Sequence, residues 1–234
     1  MSDEITIERP ASVGAGSHRP KILMIFAPKG GVGKTMISLN MLAAGARAGH
    51  LVAGLDFDGQ RSLWDWAKLR DKHPIIEEKH KITVRAGAIK YWRAEVEAVR
   101  DRDIIVVDTP PGIEEANQAY LRELGIVADV VLIPTEPYGQ SVRYVRDFMT
   151  WWEATPGRAM FVINKTTTGR SITREARDML KERGAVWADT IPQRDDLARA
   201  VDNGLAAVDD DAIPAHGNFM GLWAWCAAKL GVTP

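Results

Sequence analysis

The segment Pro28-Lys29-Gly30-Gly31-Val32-Gly33-Lys34-Thr35 constrains this chain more than any other. It follows the apolar run KILMIFAP (21–28), strand-like in length and continuity, and precedes a helical stretch over 35–48 that closes at Gly49. Glycines at such a junction let successive backbone N–H groups turn inward around phosphate oxygens. The helix that follows aims the positive end of its dipole at the same anion. In that setting Lys34 reaches the β- and γ-phosphates and the Thr35 hydroxyl ligates Mg2+. The plain G-x-x-x-x-G-K-[ST] form is not met, because Pro28 stands at its first glycine. What is met is KGGxGKT, a form with an additional lysine, Lys29. Six specified positions at average residue usage occur by chance on the order of 10⁻⁵ times in a chain this long.

The rest of the chain repeats the strand–helix alternation that the loop implies. Apolar, strand-sized runs lie at 51–58, 82–87, 103–111, 127–134, 158–165 and 185–192. Helical stretches lie between and after them at 62–73, 90–101, 113–124, 139–154, 171–184, 195–207 and 217–230. Continuous apolar strands separated by helices indicate βαβ units around a buried, mostly parallel sheet. The expected fold is α/β, doubly wound, with about seven strands and helices on both faces. There is no internal repeat and no domain-length linker. Residues 20–234 read as one domain, and 1–19, mixing charges with Gly, Ser and Pro, as a mobile tail.

Composition narrows the functional classes. Among 234 residues, 30 Lys+Arg face 31 Asp+Glu, a formal charge of −1. A globally basic nucleic-acid binder is thereby excluded, and any DNA affinity must sit in a local patch. The single cysteine, Cys226, supplies neither an intrachain disulfide nor a CxxC metal or cluster site. No apolar run reaches membrane-spanning length, no signal peptide is evident, and Ser2 replaces the glycine that myristoylation needs. A cytoplasmic protein is expected, with no membrane partner.

Three further places carry chemistry. LDFDGQRSLWDW (55–66) puts Asp56 and Asp58 two apart at a strand end, so both could face the phosphates, although a turn rich in Asp and Gly reads the same way. Asp108 ends IIVVD, an acid at the carboxyl end of a buried strand, suited to hold the water shell of Mg2+. Thr109-Pro110-Pro111-Gly112 follows it directly. Asn164-Lys165 follows AMFVI, but Thr167 occupies the place of the carboxylate that reads guanine in an NKxD motif, so ATP is expected over GTP.

With these features together, the chain resembles the ParA/MinD family of P-loop ATPases with a deviant Walker A loop, closest in type to short plasmid-partition ParA proteins. The resemblance implies a nucleotide site formed by Lys29, Gly30, Gly31, Val32, Gly33, Lys34, Thr35 and Met36, the last standing where many members carry a second Thr. It implies that Lys29 reaches the nucleotide of a partner subunit in an ATP-sandwich homodimer, acting like an arginine finger. Asp58, within a D-x-D-x-Q first switch that has Gly59 for the common Pro, would orient the attacking water. Thr35, Asp58 and Asp108 would serve Mg2+, and the turn after Asp108 would be a second switch. Asn164 would contact adenine, with Pro192 in the segment that covers the base.

Arg170, Arg174, Arg177 and Lys181 recur at helical spacing over 171–184, with Ile172, Ala176 and Met179 expected on the core side. A basic stripe of this kind suits nonspecific, salt-sensitive DNA binding. A solvated face held by pairs such as Arg174–Asp178 is the competing reading. The last helix has one lysine, too few for a membrane-surface helix, and reads as core, with Cys226 a small buried apolar residue. Eight tryptophans are core by default, although Trp64/Trp66 and Trp151/Trp152 could mark a surface. The expected function is a nucleoid-associated, cargo-positioning ATPase that partitions a plasmid or chromosome and binds DNA nonspecifically. A ParB-like or small centromere-binding adaptor would stimulate it. A MinD-like membrane ATPase and a metabolic P-loop ligase or kinase remain as alternatives.

Overall fold

In the computed structural model, which describes residues 19–112, 114–152, 159–167, 170–213 and 215–234, β1 (Lys21–Ile25) runs through the centre of a seven-stranded sheet. The expected tail, 1–19, lies outside the described residues except for Arg19. Both faces of β1 are covered, so its alternation divides two apolar sets rather than apolar from polar. Leu23 and Ile25 join one core, and Ile22 and Met24 the other.

Around β1, the strands β2 (Val52–Asp56), β3 (Thr83–Ala86), β4 (Ile104–Asp108), β5 (Val130–Thr135), β6 (Ala159–Thr166) and β7 (Ala185–Pro192) complete the order β3-β2-β4-β1-β5-β6-β7. Every pairing is parallel. All seven expected strands are present, in the expected doubly wound α/β arrangement.

The helices are α1 (Lys34–Arg47), α2 (Ser62–Asp71), α3 (Trp92–Glu97), α4 (Glu115–Val127), α5 (Gly139–Trp151), α6 (Arg170–Lys181), α7 (Asp195–Asp202) and α8 (His216–Leu230). α1, α2, α7 and α8 share one core with the sheet, and α3 to α6 the other. α1 is apolar almost all round because it is enclosed by the sheet, α2 and α8. A Cβ on Gly45 would lie 3.2 Å from the Trp223 ring, so glycine permits the close approach of α1 and α8.

α8 buries Phe219, Leu222, Trp223, Cys226, Ala227 and Leu230, as its lack of charge suggested. Burial also pushes the Cys226 thiol up to about 12, the behaviour of a buried apolar group. Trp66 and Trp152 are core residues. No helix among the described residues is long and apolar enough to cross a membrane.

Several elements stop earlier than their apolar runs. β1, β2 and β4 end at Ile25, Asp56 and Asp108, on one level of the sheet, since Ile25 and Asp56 each pair with Asp108. Beyond that level the backbone leaves the ladder to form loops. The expected helix 90–101 is a 3-10 turn (Ile89–Tyr91) leading into the short α3. α7 ends before Gly204, whose φ is +77° and where a Cβ would stand 2.7 Å from the Arg70 backbone nitrogen, leaving no room for a side chain.

Candidate active site

The carboxyl ends of β1, β2, β4 and β6 bring the expected residues to one edge of the sheet. Gly31 and Gly33 have φ of +76° and +91°, left-handed values that let the loop wrap without a Cβ penalty. Gly33 precedes α1, which has no acidic residue in its first turn, so its positive end is free to face an anion. Val32 is buried, and Met36 packs partly buried against the core beneath the loop.

Lys34 is buried, and burial lowers its pKa, opposed by the charges of Asp108 and Asp58. A lysine so buried is partly desolvated, with Asp108 and Asp58 the acids that favour its charged form. Asp108 is its counterpart. Burial pushes its carboxyl up to about 7, with the nearby Asp56 charge adding to the rise and the Thr35 hydrogen bond opposing it.

The Thr35 hydroxyl donates to Asp108 Oδ2 at 2.7 Å. Asp108 Oδ1 is buried with no hydrogen-bond partner among the described residues. An orphaned carboxylate oxygen beside a hydroxyl fits a hydrated Mg2+. Among the described residues no group of three or more His, Cys, Asp or Glu could hold a metal by itself. That suits Mg2+, which is bound by one or two protein oxygens together with substrate phosphates. When bound, the ion neutralises charge on the phosphates. Thr35 and Asp108 are the residues that would hold it.

Asp56 and Asp58, two apart at the end of β2, have different partners. Asp56 is fully buried, and its oxygens accept the N–H groups of Asp58 at 3.1 Å and Trp64 at 3.0 Å. It ties the loop to the start of α2. Asp58 is half-buried, accepts the Gln60 N–H at 2.9 Å, and acts on Lys34. Across the loop, the Thr109 hydroxyl donates to the Ile25 carbonyl at 2.9 Å, and a Cβ on Gly30 would meet Pro111 at 3.7 Å. The Thr-Pro-Pro-Gly turn therefore lies against the phosphate loop.

Lys29 is placed apart from this cluster. Its Nζ donates to Glu136 Oε2 at 3.0 Å and to Ser141 Oγ at 3.2 Å, and the side chain is 49% exposed. Neither Glu136 nor Ser141 was legible as a site residue, since each lies more than 100 positions from Lys29. Asn164 is buried, its amide donating to the Val32 carbonyl at 2.7 Å. Pro192 ends β7 opposite Thr166, two residues beyond Asn164.

The α6 stripe does not hold together as expected. Arg177 turns inward, and its guanidinium donates to the Trp187 and Asp189 carbonyls. Those carbonyls lie where the β6–β7 register shifts, between Phe161 and Ile163, and the ladder is interrupted. Two donors of Arg177 are thereby spent on the fold. Arg174 is exposed, Lys181 pairs with Asp178 at 3.5 Å, and the side chain of Arg170 lies outside the described residues. Asp178 thus takes Lys181 and not Arg174. Ile172 is exposed instead of core, and the buried face of α6 is Ala176 and Leu180.

A family model described as the CobQ/CobB/MinD/ParA nucleotide binding domain matches residues 23–208. The chain belongs to this family. It is a ParA/MinD-type ATPase. The carboxysome distribution protein A of Halothiobacillus neapolitanus is 26% identical over 201 residues, 81% of this chain and 88% of that protein. Its counterpart in Gloeobacter kilaueensis is 30% identical over 128 residues, and the match spans about half of each chain, 53% in both. Among solved structures, MinD in the Aquifex aeolicus MinC:MinD complex superposes with a TM-score of 0.71 at 22% identity, covering 89% of this chain and 96% of that one. An ATP-bound McdA from Cyanothece superposes with a TM-score of 0.68 at 14% identity, covering 94% and 99%. At such identities the likeness to the ParA/MinD structures is one of fold.

Proposed function

We propose that this chain is a cargo-positioning ATPase of the ParA type, with residues 20–234 forming its ATPase domain. ATP binding closes a nucleotide-sandwich homodimer, the dimer binds DNA nonspecifically, and hydrolysis stimulated by an adaptor protein releases it. The observation that carries the reading is the place of Lys29. It lies in the phosphate loop, yet it is half exposed and paired with Glu136 and Ser141 outside the Lys34–Asp108 cluster. A cation so placed is available to a second subunit, where it adds positive charge as negative charge develops on the phosphates. The relatives that distribute carboxysomes favour a large cellular body as cargo, so plasmid partition becomes the second possibility for the cargo.

A nucleoid-associated cytoplasmic protein follows from this reading, and a membrane-bound one does not, because α8 spends its apolar face on the core. The test is light scattering and DNA co-sedimentation with ATP, with ADP and without nucleotide. Dimer formation and salt-sensitive DNA retention are expected with ATP alone. Lys29→Ala should retain ATP binding and lose partner-stimulated hydrolysis. A monomer that ignores DNA in ATP, or retention on liposomes in place of DNA, would overturn the proposal.

A further inference from the structure

One residue of the expected site, Asn164, and one beyond it, Lys165, reach the outer side of the phosphate loop. Asn164 Nδ2 donates to the Val32 carbonyl at 2.7 Å, and Lys165 Nζ donates to the Gly31 carbonyl at 2.5 Å. The peptide group is planar and trans, so each C=O points opposite to the N–H of the next residue. Holding the Gly31 and Val32 carbonyls outward therefore directs the Val32 and Gly33 N–H groups to the other side, toward the phosphate cradle. Lys165 adds its charge, which polarises the Gly31 carbonyl and with it the peptide N–H that follows.

The chain tolerates strain to keep this arrangement. Lys165 has φ of +55°, and among the described residues only Arg61 shares a positive φ without being glycine. A lysine has no preference for that conformation, and glycine would adopt it without cost. Asn164 is as closely fitted, since a Cβ on Gly33 would stand 2.3 Å from its amide nitrogen.

We propose that Lys165 is a positioning residue for nucleotide binding, one that clamps the Gly31 carbonyl so that the phosphate loop presents its N–H groups to the nucleotide before it arrives. Lys165 acts through the loop and does not touch the phosphates. The inference rests on nucleotide binding by this family and is independent of the DNA, dimer and partner reading.

The test measures affinity of the full chain for a fluorescent ADP and for ATP with Mg2+, together with KM, kcat and thermal midpoint. Lys165→Met should weaken both nucleotides roughly tenfold, the size of a lost charge-assisted hydrogen bond, and raise KM while kcat stays within about twofold. Lys165→Arg should restore most of the affinity, since a guanidinium also donates to a carbonyl. Lys165→Gly should lose affinity as Lys165→Met does while melting no lower than the native chain, because the strain is relieved. Native affinity in Lys165→Met overturns the clamp, as does Lys165→Arg binding no better than Lys165→Met. Full affinity in Lys165→Gly overturns it too, because the backbone conformation and not the ammonium would then be what matters. If the native chain forms no dimer but binds ATP, only the proposed function falls.

Discussion

The nucleotide edge of the sheet and the outer face of α6 are both rich in charge, and the protein treats them in opposite ways. At the sheet edge Lys34, Asp56 and Asp108 are buried, and the pKa of each is moved by burial. On α6 the charges of Arg174, Asp178 and Lys181 are exposed, with Lys181 and Asp178 paired at 3.5 Å. Burying an ion costs several kcal/mol unless something repays it. A fold that keeps three such groups within one cluster is arranged for a ligand that completes it. Exposed charges at helical spacing cost nothing and so say little about function.

The sharpest way to break this comparison is Asp108→Asn. Hydrolysis with Mg2+ should fall at least about a hundredfold, while the thermal midpoint of the nucleotide-free protein moves little or rises, because asparagine keeps the Thr35 contact without a buried charge. A melting loss as severe as the activity loss would mean that Asp108 is structural. Arg70 is the control for a buried charge with its own partner. Its guanidinium forms a two-point pair with Asp209, both side chains 1% exposed, joining α2 to the 3-10 turn Ala207–Asp209. Arg70→Ala strips buried Asp209 of its two-point partner, leaving it the Ala206 N–H at 2.8 Å and Arg47 at 4.0 Å, with an expected cost of about 3 kcal/mol, measured by urea unfolding. A cost below about 1 kcal/mol would show that water replaces the guanidinium.

Smaller effects separate the two arginines of α6. Arg177→Ala should cost about 1–3 kcal/mol, since two β7 carbonyls lose their donor. Arg174→Glu should stay within about 0.5 kcal/mol in the same unfolding assay, as exposed substitutions do. Weaker DNA retention in Arg174→Glu at unchanged stability would assign α6 to the DNA surface, and unchanged retention would take it away. Replacing both arginines at once would confound unfolding with binding, so the single variants carry the test.

Which side chains share a site was legible only where spacing or a strand end reported it. Asp108 could be found because a buried strand terminates in an acid, and Lys34 and Thr35 because the glycine pattern dictates their places. The division between Asp56 and Asp58 could not, because alternation places both on one side, and the choice is made by the Trp64 N–H at the start of α2. Glu136 and Ser141 stand near Lys29 because β5 lies beside β1 in the sheet, a neighbour relation the chain order does not state. Arg177 looked like part of a surface stripe because helical periodicity records angle about an axis. It does not record that an irregular strand nearby has carbonyls to satisfy.

By itself the sequence determined the chemistry of the phosphate loop, the seven strands and their parallel sense, and the apolar character of α8. Each is a local matter, written in residue type, period and turn composition. The tertiary structure decided which buried charge faces which, that Lys29 stands apart from Lys34, and that Lys165 holds the loop from behind. The last two depend on hydrogen bonds between residues 107 to 134 positions apart, brought together by strand order. The single cysteine and the −1 charge excluded cluster chemistry and a globally basic surface. Only packing could say which charges are spent on the fold and which are left to act.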